Sequence, residues 1–591
     1  MSRTLFKEVT YSLDKIIADI DLGEIALPDI QRPFVWSNSQ VRDLFDSMFK
    51  GFPVGYFLFW ENGIPDGHRQ IGVGSKQKVP RLLIVDGQQR LTGLFAVIKG
   101  ITVVREDFSR ELIHIAFRPR DRTFEVSDAA IRKDPEFIPD ITRIWSGEVS
   151  RNRFVKEFLE RLRKSRPVEE ADEDELTESI DGLYDLQTYP FTAAELASTV
   201  DEERVAEVFV RINSKGKPLN QADFILTLMS VFWDDGRKEL ESWCRSAHEI
   251  PTKAASPYNV FIQPQPDQML RVSIGLGFRR SRLQHVYSIL RGKDLETGEF
   301  SDDRRFSQFA VLREAQSYTL DLTNWHEFLK VLLRAGYRSG DMISSQIGLV
   351  YSYALFLIGR RDFGVDHSSL REIIARWFFM SALTGRYTSS SETVMQEDLA
   401  RLAGAKTPKD FVRVLDEVIR STFTDDFWSI NLPGELRTAG ARTPSLFGYY
   451  AALNLLDARV LFSHLRVAEL LDPTHKAKKS ALERHHLYPK AYLGSLGLTN
   501  RREVNQLANF ALVEWPDNLD ISDKSPAEYF PTYVAKYRGK NGQELDAMLH
   551  WHALPDGWEN LEYESFLEIR RKAIAKVICE GYAKLESVAD A

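Results

Sequence analysis

The segment that most restricts how this chain folds is Leu482-Glu483-Arg484-His485-His486-Leu487-Tyr488-Pro489-Lys490. Successive side chains of a strand point to opposite faces, so two adjacent histidines on a strand cannot share one role. They can divide a hydrolytic task, one imidazole binding a metal ion while the other activates water as a general base. A neutral imidazole suits both jobs near pH 7. Downstream, Asn509 precedes a strand-like run, and Asn518 follows a Trp-Pro-Asp turn signal and is placed to open a helix. The conjunction of His-His-x-x-Pro-Lys, Asn-x8-Asn and the tail Ile521-Ser522-Asp523-Lys524-Ser525-Pro526 is hard to obtain by chance. His464, His475, His550 and His552 lack a comparable frame and read as structural.

The rest of the chain sets the context. At about 100 to 200 residues per domain, 591 residues predict several domains. We expect boundaries that give 1–235, 236–450 and 451–591. The formal net charge of −8 argues against a purely electrostatic DNA binder, but leaves room for an enzyme with a confined basic groove. Two cysteines, Cys244 and Cys579, exclude a disulfide framework and a four-cysteine zinc site, and fit a reducing cytoplasm. No apolar signal segment is visible at the N-terminus. The uncharged stretch from Met342 to Gly359 is as long as a minimal membrane span, but its serines and Gln346 predict a buried core helix and no membrane partner.

Phe52 to Trp60 reads as a strand, as does Arg81 to Val85, which runs into Asp86-Gly87; helical spacing follows from Leu91 to Ile98. Asp86-Gly87-Gln88-Gln89-Arg90 therefore sits between a strand and a helix, where backbone N–H groups and a helix N-terminus face any bound anion. Gly87 permits the tight turn. Arg90 is suited to grip a phosphate bidentately, and Asp86 to hold a metal ion or position a water. Upstream, Gln31-Arg32 lies among aromatics, and downstream Arg211 and Asn213 flank a glycine turn with two lysines. No Walker A sequence is present; Gly72-Val73-Gly74-Ser75-Lys76 lacks its spacing. The charged run Lys164 to Glu175 reads as a solvated loop or linker. Amphipathic helical patterns dominate from about residue 235 to 470, Arg371 to Leu383 among them.

The C-terminal frame resembles the HNH (His-Me finger) nucleases, whose core is a hairpin and one helix around a single divalent ion. That resemblance covers roughly the last hundred residues. It implies His485 as the first metal ligand, His486 as the general base, Asn509 as the central Asn that fixes the loop carrying the base, and Asn518 as the second metal ligand. The three N-terminal segments, in their order, resemble the ParB/sulfiredoxin-like domain of the GmrSD family of type IV, modification-dependent restriction enzymes. That family pairs this domain with a C-terminal HNH nuclease. The resemblance implies that Asp86, Gly87, Gln88, Gln89 and Arg90, with Gln31, Arg32, Arg211 and Asn213, bind a nucleoside triphosphate, GTP or another. Lys490, Arg501, Arg502 and Lys524 are close to this frame in sequence and are expected to contact phosphates.

The expected protein is thus an α+β multidomain chain, with a ParB/sulfiredoxin-like α/β N-terminal domain, a mostly helical middle and a ββα-metal C-terminal domain. The expected activity is cytoplasmic hydrolysis of modified foreign or phage DNA, with Mg2+ or Mn2+ at the nuclease site and an NTP at the other. Dimerisation fits the need to cut two strands with one ion per chain. Competing readings are a phosphorothioate-sensing nickase and NTPase, a non-cleaving NTP-dependent DNA-binding regulator, and an N-terminal domain that itself nicks DNA.

Overall fold

The structure, a computed structural model, describes residues 5–28, 34–61, 68–69, 81–105, 109–147, 149–200, 205, 208, 221–252, 254–294, 296–297, 299, 301–440, 442–473, 482–514, 521, 523–538 and 542–586. Gln31, Arg32, Arg211, Asn213 and Asn518, read from the sequence as site residues, lie outside the described residues, as do Gly72 to Lys76 and His475. The chain divides into two compact units, Met1–Lys238 and Glu239–Ala591.

The first unit is built on a mixed sheet. In chain order the sheet strands and the main helices around them are β1 (Phe6–Ser12), α1 (Leu13–Leu22), β2 (Ile25–Pro28), α2 (Asn38–Phe49), β3 (Phe57–Glu61), β4 (His68–Arg69), β5 (Leu82–Asp86), α3 (Gln88–Lys99), α4 (Arg151–Arg163), α5 (Glu170–Asp185) and β6 (Pro190–Leu196). The strands lie side by side as β1-β6-β3-β5-β2-β4. The β6/β3 and β2/β5 pairs are parallel, and the others antiparallel. The central strands are apolar on both faces, as strands covered on both sides must be. Phe57, Phe59, Leu82 and Ile84 enter the large core with α1 to α5, whereas Leu58, Trp60, Leu83 and Val85 enter a smaller cluster on the opposite face.

Two expectations change here. The strand expected from Phe52 begins only at Phe57, because the carbonyls before it are bound outside the sheet: the Tyr189 hydroxyl donates to the Phe52 carbonyl, and Arg90 donates to those of Val54 and Tyr56. The charged run expected as a loop is helical from Glu170. Glu170, Asp172 and Glu173 stand in the first turn of α5, where acidic side chains complement the helix dipole, and Leu176, Ile180 and Leu183 bury its other face.

The second unit is mostly helical. Helices α6 (Pro266–Phe278), α7 (Gln346–Arg361), α8 (His367–Leu383) and α9 (Pro444–Leu455) form much of its interior. Every residue from Gly348 to Gly359 on α7 is buried, so the uncharged stretch is core. Among the described residues no helix is long and apolar enough to cross a membrane. Farther on come β7 (Leu482–His486), β8 (Phe510–Glu514), α10 (Pro526–Arg538) and the long α11 (Tyr563–Glu586). Helix α11 lies so close to α9 that a Cβ on Gly581 would come within 2.5 Å of the Ala452 side chain. The fold is therefore α+β, with its largest sheet in the first unit.

His552 bears a load in this second unit. It is 1% exposed, its Nε2–H donates to the Arg459 carbonyl at 2.9 Å, and its own carbonyl accepts from Arg570. Burial pushes its pKa down to about 4, with the nearby Arg570 charge adding to the effect. The folded state thus holds a neutral ring that the unfolded chain protonates below about pH 6.5. The resulting stability is complete above about pH 6.5 and lost as pH falls towards 4, by about 3 kcal/mol in all. In urea unfolding followed from pH 7 to pH 4.5, the native chain should lose stability more steeply than His552→Gln; equal slopes would contradict this.

Candidate functional site

At the N-terminal turn, β5 delivers Asp86 to its C-terminal end, and Gly87 caps α3 with φ +94°. Only glycine fits there, since a Cβ would lie 2.2 Å from the Phe57 ring. Arg90 is turned inward. Its Nη1 donates to the Val54 carbonyl at 2.6 Å, and its Nη2 donates to the Tyr56 carbonyl at 2.7 Å and reaches the Asp86 carboxylate at 3.4 Å. Its guanidinium lies over the Phe57 ring, and burial lowers its pKa, against the pull of Asp86. Gln89 is buried, and its Oε1 accepts from the amides of Val35 and Trp36 at 2.8 and 3.3 Å. Arg90 and Gln89 thus fasten the two neighbouring loops, while Asp86, Gly87 and Gln88 remain half-buried at the open end of the helix. The two carbonyl bonds use one N–H on each terminal nitrogen of Arg90, and a phosphate grip would have to draw on the others.

In the second unit, β7 and β8 form an antiparallel pair in which His485 faces Ala511 across the ladder and His486 faces Phe510. Their environments differ, as adjacent strand positions require. His485 is 3% exposed and meets the Tyr529 ring edge-on at 5.8 Å. His486 is half-buried; its ring lies 4.5 Å from that of Phe510, and its Nε2 is 3.0 Å from Asn505 Oδ1.

Asn509 holds this corner together. It is wholly buried; its Oδ1 accepts from the Tyr488 amide at 2.8 Å, and its Nδ2 donates to the carbonyls of Tyr488 at 3.1 Å and Val504 at 3.2 Å. The Leu487 amide donates to the Asn509 carbonyl at 2.8 Å, and the Tyr529 hydroxyl donates to the Leu487 carbonyl at 2.8 Å. Burial keeps that phenol protonated and so a donor. From α11, the Arg570 guanidinium donates to the Ala508 carbonyl at 2.6 Å, and the Tyr563 hydroxyl donates to those of Glu503 and Val504 at 2.9 and 3.1 Å. Sequence reading missed Asn505, Tyr529, Tyr563 and Arg570. Only Asn505 stood near a recognisable motif, and nothing in its spacing set it apart.

Lys490, Arg501 and Arg502 are exposed, one close after His486 in the chain and two just before Asn505. Among the described residues no three His, Cys, Asp or Glu side chains gather as a metal cage. Of the two residues expected to hold an ion, His485 offers an imidazole, and Asn518 lies outside the described residues. A neutral imidazole is a common ligand for divalent metal ions.

Comparison with known proteins bears on the first unit most directly. Residues 13–230 match the GmrSD restriction endonuclease, N-terminal domain. This supports a GmrSD-type protein, and the matched stretch contains the whole Asp86-to-Arg90 turn. An uncharacterized protein of Methanocaldococcus jannaschii is 21% identical over 569 residues, covering 89% of this chain and 87% of its own length. The similarity to that archaeal protein thus extends well beyond the GmrSD-type domain. The strand pair with its two histidines lies outside the matched domain.

Replacing Asn509 with Leu would leave the buried Tyr488 amide and carbonyl without their partner, while the Val504 carbonyl keeps the Tyr563 hydroxyl. At roughly 1–3 kcal/mol for each orphaned group, the second unit should lose on the order of 3 kcal/mol or more. Chemical denaturation of Asn509→Leu measures this; a stability equal to that of the native chain would rule out the clamp.

Proposed function

We propose that the chain is a metal-dependent DNA endonuclease of the restriction type that hydrolyses phosphodiester bonds at the β7–β8 corner. The observation that carries this reading is the Asn509 clamp, which fixes the loop behind a half-exposed His486, with exposed cations close to it in the chain. It is the role expected of the central Asn in an HNH site. The GmrSD-type N-terminal domain supports the same class of activity.

In this reading His485, with Asn518 as the expected second ligand, would hold Mg2+ or Mn2+. When bound, the ion supplies positive charge to the scissile phosphate and to the departing oxygen. His486 takes a proton from water. The water oxygen bonds to phosphorus, the bond from phosphorus to one sugar oxygen breaks, and that oxygen takes up a proton from solvent. Lys490, Arg501 and Arg502 neutralise backbone phosphates and orient the strand. Tight packing around Asn509 holds the base in place and so lowers the cost of ordering it for reaction.

The N-terminal domain is assigned nucleoside triphosphate binding, with Asp86, Gln88 and the Gly87 backbone at the helix N-terminus as the contacts and Gln89 and Arg90 as their framework. Binding there would control cleavage and restrict it to modified foreign or phage DNA in the cytoplasm. A pair of chains would cut both strands.

Incubating the purified chain with modified and unmodified phage DNA, Mg2+ or Mn2+, and with or without NTP tests this. Cleavage of modified DNA only, lost in His486→Ala, is expected. Equal cutting of both DNAs would remove the sensing role, and cutting that survives His486→Ala would remove the proposed chemistry.

A further inference from the structure

One partner of His486, the Asn505 side chain, is given no role by the motif. We propose that Asn505 is a positioning residue for His486: it holds the Nε2 proton and so fixes which ring nitrogen receives the proton of the attacking water. This rests on the nuclease reading of the β7–β8 corner and refines it.

The chemistry follows from one contact. A carboxamide oxygen only accepts hydrogen bonds, so at 3.0 Å from Asn505 Oδ1 the His486 Nε2 must carry the ring proton. A neutral imidazole has one N–H and one basic lone pair, and the lone pair then lies on Nδ1. When Nδ1 takes the water proton, the ring becomes an imidazolium. Its Nε2–H still points at a partial negative charge, so the contact strengthens as the reaction proceeds.

The contact is also over-determined, which distinguishes it from an accidental surface bond. Asn505 follows the short helical turn Arg501–Val504, and His486 ends β7. Asn509 binds both segments at once, through the Tyr488 amide and carbonyl on one side and the Val504 carbonyl on the other. Tyr563 fixes the carbonyls of Glu503 and Val504 from the far side. The Phe510 ring, at 4.5 Å and tilted by 55°, limits rotation of the imidazole. Three anchors thus set the distance between two residues that stand 19 positions apart. An asparagine that merely ended a helical turn would not need its side chain held in register with a strand.

The test uses the full chain. The variant Asn505→Leu removes the acceptor at similar volume, and Asn505→Asp keeps an acceptor oxygen. Cleavage of DNA that the native chain cuts is followed with Mn2+ over a range of DNA concentrations. Asn505→Leu should lose about 10- to 100-fold in kcat with little change in KM. Asn505→Asp should recover most of that loss, a rescue that a volume-filling role would not give. Independently of cleavage, imidazole 15N spectra of histidine-labelled native protein, with His486 assigned by its loss in His486→Gln, should show the Nε2–H tautomer. In Asn505→Leu they should show a mixture of tautomers. Cleavage lost in His486→Ala but unchanged in Asn505→Leu, or an Nδ1–H tautomer in the native protein, overturns the Asn505 assignment alone. Cleavage unchanged in His486→Ala overturns it together with the nuclease reading.

Discussion

The C-terminal corner depends on the three hydrogen bonds of one buried side chain. Asn509 spends its carboxamide on the backbone of Tyr488 and Val504, and nothing of similar size can satisfy an amide and two carbonyls at once. A buried polar network of this kind is costly when half-made and rigid when complete. Here it is complete, and it is reinforced by groups that also reach backbone carbonyls: Arg570 on Ala508, Tyr529 on Leu487 and Tyr563 on Val504. The consequence is a strand end whose last histidine emerges in one place and one orientation, although the surrounding chain is loop and short helix.

The N-terminal turn follows the same logic with different residues. Arg90, half-buried beside Phe57, binds the carbonyls that would otherwise continue β3, and Gln89 binds the amides that lead into α2. A strongly charged side chain is here construction material. The motif read as five ligands divides into a framework, Gln89 and Arg90 with Gly87 at the turn, and two half-buried polar side chains, Asp86 and Gln88. In both units, residues that look catalytic by type hold the backbone, and fewer side chains are left for ligand chemistry.

Much of this was legible in the sequence, and the reasons are local. The run Arg81 to Val85, the Asp-Gly turn and the helix after it are set by adjacent residues, and they form as expected. The buried helix from Gln346 and the strand after Asn509 are likewise local patterns. Long-range partners were not legible. Arg90 reaches back to Val54 and Tyr56, Arg570 reaches Ala508 across 62 positions, and neither spacing is a motif. The acidic stretch from Glu170 was misread because charge alone suggests a solvated loop, whereas its apolar residues at Leu176, Ile180 and Leu183 make one face of a helix. Asn505 carried no signal at all, because its role depends on where β7 ends in space.

The central claim is that the corner built around Asn509 is where a divalent ion and DNA meet. The most direct measurement is an anomalous difference map from crystals of the full chain grown with Mn2+ and a short DNA duplex. The account predicts a manganese peak beside the His485 imidazole, with a DNA phosphate next to it and His486 facing that phosphate. Manganese and DNA bound elsewhere, with the His485–His486 corner free of both, would contradict it.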